Sequence, residues 1–145
     1  MYENSPRSIN IMLDDGAYPP TRGHKADAGY DLRTRERVTV SVGNPAVIDT
    51  GVHIEIPEGF VGFLKSKSGL NVKNGINGEG VIDAGYTGSV VVKLYQNEGA
   101  APVTFEPGDK IIQIVLLPIY TPELKIVSEF AQTERSDNGF GSTGR

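Results

Sequence analysis

Apolar and polar residues alternate with a period of two at Ile9, Ile11 and Leu13, at Val38, Val40 and Val42, and at Val52, Ile54 and Ile56. That period puts one side of each segment on a core and the other in water, the pattern of half-buried β-strands. Continuous apolar runs at Phe60 to Leu64, Val90 to Val92 and Ile111 to Leu117 are rich in β-branched residues and predict more deeply buried strands. No stretch carries the 3.6-residue spacing of an amphipathic helix. Turn chemistry separates the runs at Asp15-Gly16, Pro19-Pro20, Gly43-Asn44-Pro45, Pro57-Glu58-Gly59, Asn74-Gly75, Asn77-Gly78 and Pro107-Gly108. The expected fold is all-β, a jelly-roll-like β-sandwich.

Length and composition narrow the function classes. A chain of 145 residues suits one domain with its own core. The absence of Cys excludes disulfides and thiolate zinc sites and suits a reducing compartment. Met1 to Asp14 lack the basic and apolar regions of a leader, and Ile114 to Leu117 is too short to cross a bilayer, so a soluble, cytoplasmic protein is expected. A formal net charge of -4 gives no general attraction to nucleic acid, so any phosphate binding must be local. The seven residues Gly139 to Arg145 have no strand pattern, and a mobile tail over 134–145 is expected after a domain spanning 1–133.

Four polar, Gly-rich islands interrupt the strands. Ala28-Gly29-Tyr30-Asp31-Leu32 sets an acid among apolar neighbours, where a lone Asp is most simply a turn residue. Ser66-Lys67-Ser68-Gly69 combines a cation, hydroxyls and a Gly, and its backbone N–H groups suit an anion. Gly80 to Gly88 reads as a hairpin holding Asp83 and Tyr86 near a tight turn, a carboxylate to orient a water and a ring to pack on a flat ligand. In Gly108-Asp109-Lys110-Ile111-Ile112-Gln113 a turn opens a strand, with Asp109 structural and Gln113 left with spare hydrogen-bonding capacity. Arg135, Phe140, Ser142 and Thr143 give the tail a cation, an aromatic and hydroxyls, suited to closing over a phosphorylated ligand. His24 and His53 offer no metal pair and are expected to be structural or solvated. The chain has neither a Walker P-loop nor a Gly-x-Ser-x-Gly elbow.

Taken in order, Ala-Gly-Tyr-Asp-Leu, Lys-Ser-Gly-Leu, Gly-Val-Ile-Asp-Ala-Gly-Tyr-Thr-Gly, Gly-Asp-Lys-Ile-Ile-Gln and Gly-Phe-Gly-Ser-Thr-Gly closely resemble the five motifs of the homotrimeric dUTPase family. The resemblance runs from about Ala28 to Gly144. It implies a dUTP diphosphatase that cleaves dUTP at the α-phosphate to dUMP and pyrophosphate with Mg2+, lowering dUTP and supplying dUMP for thymidylate synthesis. It also implies a trimer with active sites at the subunit interfaces and three chains contributing to each.

By the same resemblance Asp83 is the general base for the attacking water, and Tyr86 packs beneath the deoxyribose and excludes a 2′-hydroxyl. Asn77 and the backbone at Val81 and Ile82 read the uracil edge with Val91 nearby, and Phe140 stacks on the base. Lys67, Ser68, Gly69 and Gln113 hold the phosphate chain, while Arg135, Gly141, Ser142 and Thr143 close over its γ end. Mg2+ binds phosphate oxygens and water, with Asp31 reaching it through water and no direct protein ligand. Two positions depart from the family pattern. Lys67 stands where Arg is usual, a point charge in place of a bidentate fork, and Ser136 and Asn138 replace glycines of the fifth motif. Alternative readings are a dCTP deaminase relative on the same fold and a nucleotide-responsive regulatory protein; a purely structural jelly roll would leave the islands without a purpose.

Overall fold

The computed structural model describes residues 5–139, 141, 143 and 144. Its strands are β1 (Ile11–Leu13), β2 (Gly29–Arg33), β3 (Val38–Val40), β4 (Ala46–Ile54), β5 (Phe60–Lys65), β6 (Ile76–Asn77), β7 (Glu79–Ile82), β8 (Ser89–Gln96), β9 (Val103–Phe105) and β10 (Lys110–Pro118). One short helix, α1 (Ser68–Asn74), follows β5. Two antiparallel four-stranded sheets, in the orders β1-β4-β8-β6 and β2-β10-β5-β7, form the sandwich, and β3 pairs with β9 in a small third sheet.

The period-two pattern becomes burial at Val52, Ile54 and Ile56, but not in β1, where Ile11, Met12 and Leu13 are all exposed. The run at Val90 to Val92, expected to be buried throughout, alternates instead. Val90, Val92 and Leu94 of β8 point inward, whereas Val91, Lys93 and Tyr95 face out. They meet Ile48, Val52 and Ile54 of β4 and Leu64, Ile112 and Ile114 from the other sheet in one core. Two irregularities break the alternation. In β10 both Ile111 and Ile112 are buried, and the ladder with β2 slips between Lys110 and Ile112, a bulge that accommodates the extra inward residue. In β4 the register shifts between Asp49 and His53, where Thr50 is wholly buried. Its Oγ1 donates to the Val90 carbonyl at 2.7 Å and accepts from the Val52 N–H at 3.2 Å, so the bulge leaves that hydroxyl satisfied.

Several expectations need correction. Ala28 to Leu32 is not a loop island: Gly29–Arg33 is a strand between Thr21 and β10, with Leu32 in the core. Val42 lies in a turn closed by Ser41 and Asn44 and is exposed, so that strand ends at Val40. The otherwise all-β chain includes one short helix, α1, which has no buried residues and sets only Leu70 against the core, so it carries no amphipathic stripe for periodicity to reveal. It ends at Gly75, whose φ of +64° supplies the left-handed cap. Regular structure stops at Pro118, and beyond it Leu124, Ile126 and Phe130 are almost fully exposed. Among the described residues no helix is long and apolar enough to cross a membrane.

Candidate active site

The segment around Asp83 forms as β7, a turn and β8. Strand β7 pairs with β5, and β8 with β4 and β6, so the predicted hairpin is one in outline only, joining the two sheets without a ladder of its own. Tyr86 N–H donates to the Asp83 carbonyl at 3.2 Å, and Gly85 takes a φ of +88° inside that turn. Asp83 stands exposed at its start. The Tyr86 hydroxyl donates to the Ser89 carbonyl at 2.8 Å, which folds the ring back over Gly88. A Cβ on Gly88 would lie 2.6 Å from the ring's Cζ, so the absence of a side chain there is what lets the ring lie down. Val81, Ile82, Asp83, Tyr86, Ser89 and Val91 line a shallow groove of about 190 Å3 beside it. An exposed carboxylate, an aromatic face and an apolar wall therefore share one surface.

The side chain of Asn77 is occupied at the base of this hairpin. Its Oδ1 accepts from Asn71 at 2.8 Å, while its Nδ2 donates to the Gly75 carbonyl at 3.0 Å and to Asn97 Oδ1 at 2.8 Å. It ties α1, β6 and the turn after β8 together.

A second cluster gathers Asp31, Lys67, Lys110 and Gln113. Asp31 is 6% exposed on β2, directly opposite Gln113 of β10, which in turn lies opposite Lys65 of β5. Lys67 Nζ sits 2.5 Å from Asp31 Oδ1 and Lys110 Nζ 3.5 Å from Oδ2. A nearly buried carboxylate thus carries a cation on each oxygen, and the cluster keeps a net positive charge. Gln113 Nε2 donates to the Ser66 carbonyl at 3.0 Å, and its side chain lies against Gly29 so closely that any Cβ at position 29 would collide with it. Ser66 Oγ in turn accepts from Gly78 N–H at 3.0 Å, which joins the loop to the start of the hairpin. Lys67 is the residue preceding α1, and Ser68 and Gly69 are the first residues of the helix. Lys110 was passed over in the sequence because a lysine after a turn is ordinarily a solvated one; only the pairing of β2 with β10 brings it to Asp31.

The two clusters lie far apart on one sheet. Asp31 shares its row with Gln113, Lys65 and Glu79, whereas Asp83 follows Ile82, three rows further along β7 and three strands across. Ordinary strand dimensions put their Cα atoms on the order of 20 Å apart.

In the tail, Arg135 Nε donates to the Asn138 carbonyl at 2.7 Å, and Gly141 and Thr143 are exposed. Ser136 has a φ of +51° and is the one non-glycine residue with positive φ among the described residues, a conformation that suits glycine at this place. Phe140 and Ser142 lie outside the described residues.

Sequence and fold comparisons identify the family to which the chain is similar. The dUTPase family model matches residues 16–144. A "Deoxyuridine 5'-triphosphate nucleotidohydrolase" of Mycobacterium tuberculosis H37Rv is 39% identical over 142 residues, 92% of each chain. One from Anaeromyxobacter sp. is 45% identical over 121 residues, 81% of this chain and 82% of that protein. The dUTPase of Staphylococcus bacteriophage 80alpha, solved with dUpNHpp, superposes with a TM-score of 0.87 at 34% identity, covering 97% of this chain and all of that one. A dUTPase variant from phage phi11 of S. aureus, described for its coordination of a structural Mg(II) ion, superposes at 0.76 with 34% identity over 85% of this chain and 98% of its own. An antiparallel sandwich carrying a carboxylate-aromatic hairpin and a separate cationic cluster is that of a nucleotide hydrolase of this fold. The chain belongs to the dUTPase family.

Proposed function

We propose that the chain is a dUTP diphosphatase, hydrolysing dUTP to dUMP and pyrophosphate at sites shared between subunits of a homotrimer. The observation that carries this reading is the separation of two complementary half-sites, a base-and-ring hairpin at Asp83 and a cationic cluster at Lys67, on one sheet. A reacting phosphate must lie within a few ångströms of both the attacking water's base and its own cationic contacts. One chain cannot bring these groups to one phosphate, whereas a cyclic assembly can set one chain's hairpin against another's cluster. The exposed apolar segment around Leu124, Ile126 and Phe130 favours such an assembly, because it needs cover that its own chain does not provide.

In this reading the nucleoside enters the groove beside Val81, Ile82 and Val91. Backbone groups of the hairpin read the uracil edge, with Asn77 holding the hairpin's base in register. Tyr86 packs under the deoxyribose and leaves no space for a 2′-hydroxyl. Asp83 accepts a proton from the water that attacks the α-phosphorus. Lys67, Ser68, Gly69 and Gln113 hold the phosphates, Lys67 exchanging part of its pairing with Asp31 for the substrate, and Lys110 keeps Asp31 neutralised as it does so. Arg135, Phe140, Gly141, Ser142 and Thr143 close over the nucleotide from a tail spanning 134–145.

The donor set suits Mg2+ carried on the phosphates rather than a protein cage. Among the described residues no three His, Cys, Asp or Glu side chains converge, and both Asp31 oxygens already face lysines, so the ion's contact with Asp31 runs through water. When bound, it neutralises charge developing on the leaving pyrophosphate. A test is to incubate the protein with Mg2+ and each deoxynucleoside triphosphate in turn, measuring pyrophosphate and ammonia. Pyrophosphate from dUTP alone supports the reading; ammonia from dCTP would replace it with a deaminase.

A further inference from the structure

His53 lies on the outer face of β4, opposite Ser89 of β8 and Met12 of β1, and its side chain is 21% exposed. Its two ring nitrogens are both engaged. Nδ1 is 2.7 Å from the carbonyl oxygen of Thr87, and Nε2 is 2.9 Å from Asp14 Oδ1. Both partners are acceptors. A neutral imidazole has one N–H and can satisfy one of them; only the imidazolium donates to both.

Thr87 is the residue between Tyr86 and Gly88, so its carbonyl belongs to the peptide unit directly beneath the Tyr86 ring. Asp14 is itself anchored, its N–H donating to the Gly51 carbonyl at 2.8 Å. The next row of the same sheet face holds the hairpin from its other side. Ser89 Oγ makes a very short hydrogen bond to Asp49 Oδ1, Gly51 N–H donates to that same oxygen at 2.9 Å, and Arg35 pairs with it at 3.5 Å. The turn bearing Asp83 and Tyr86 therefore rests on two polar braces, and the one through His53 can gain or lose a proton.

We propose that His53 is a positioning residue for the nucleoside hairpin: by bridging Thr87 to Asp14 it holds Tyr86 in its sugar-packing pose, fully so only while both ring nitrogens carry protons. Neighbouring charges favour that form. Asp14 faces it from the turn after β1, Asp49 belongs to its own strand and Glu55 follows that strand's end; Arg35 opposes them but is paired with Asp49. The Tyr86 hydroxyl, on the hairpin itself, is bound to Ser89. The Thr87 carbonyl, then Asp14, raise the His53 pKa above its ordinary 6.5. The brace is accordingly complete below about pH 6.5 and is lost as the pH rises through the higher, folded-state value. The consequence is a substrate affinity that weakens toward alkaline pH through a residue that touches neither the substrate nor the attacking water.

This inference rests on the hairpin binding the nucleoside, and the test separates the two. KM and kcat for dUTP are measured from pH 6 to 9 in the wild type, in His53→Gln and in Asp14→Asn. The wild-type KM is expected to rise about two- to tenfold across the His53 titration, the worth of one hydrogen bond. In His53→Gln that step should vanish, with kcat changed less than about twofold. Asp14→Asn should move the step to lower pH. In the ligand-free wild type, NMR should show the His53 ring and the Gly88 amide, which shares a peptide unit with the Thr87 carbonyl, titrating with one midpoint. A KM profile unchanged in His53→Gln, or a Gly88 amide indifferent to the His53 titration, would overturn the proposal. If no variant turns over dUTP, the functional reading falls, and the NMR titration still decides whether His53 braces the hairpin.

Discussion

Tyr86 and Gly88 work as a pair. The ring can lie over the chain because position 88 has no Cβ, and its hydroxyl is held by the Ser89 carbonyl. Gly88→Ala should lift the ring without removing it, and Tyr86→Ala should remove it altogether. Both are expected to narrow the preference for dUTP over UTP, measured as the ratio of kcat/KM values, with Tyr86→Ala the larger change; an unchanged ratio in both would place sugar discrimination elsewhere. Asp83 is separable from this pair because its carboxylate stands at the other end of the turn. Asp83→Asn should bind a non-hydrolysable dUTP analogue with near-normal affinity by calorimetry while kcat falls by roughly 10²–10⁴-fold, the worth of a general base. At this scale the sequence was informative about Asp83, Tyr86 and Lys67, because they sit in contiguous motifs. It gave no sign of the partners of Lys110, Asp49 and His53, because Asp31, Ser89 and Thr87 are far away in the chain and become neighbours only through the fold.

The strands that were legible include those that carry an apolar run, as in β5, β8 and β10, although the run at Val90 to Val92 is half-buried, with Val91 facing out. The misses share a physical cause. β2 is a five-residue strand whose Gly29 and Asp31 read as loop chemistry, yet Gly29 is needed to make room for Gln113 and Asp31 is neutralised by lysines. β9 has three residues, too few for a period to show. The bulge in β4 belongs to this scale too, since Thr50 serves both strands it joins. Thr50→Val keeps shape but leaves the Val90 carbonyl and the Val52 N–H without that hydroxyl, and should cost about 1–3 kcal/mol in urea unfolding. A cost near zero would mean that the bulge is held by packing alone. The same face predicts a stability optimum. Hydrogen bonds from Ser89 and Gly51 lower the Asp49 pKa below 3.8, so its contribution is present at higher pH and fades under acid. The raised pKa of His53 gives a contribution that fades as pH rises above 6.5. Thermal melts should therefore fall on both sides of a maximum, and His53→Gln should flatten the alkaline side.

Across the whole molecule, the proposed shared site rests on the separation of Asp83 from Lys67, and the exposed segment beyond Pro118 is the surface such an assembly would cover. In the proposed trimer the base and the closing tail at any one site come from different chains. Two inactive variants test it: Asp83→Asn with its tail intact, and a chain truncated after Thr133 that keeps Asp83. Co-refolded in equal amounts, they should form mixed trimers in which about one site in four has both features, and pyrophosphate release from dUTP should return to roughly a quarter of the wild-type rate per site. Mixed trimers confirmed by native mass spectrometry that remain as inactive as their parents would contradict the shared site, because a chain that folds its own tail over its own Asp83 gains nothing from such a neighbour.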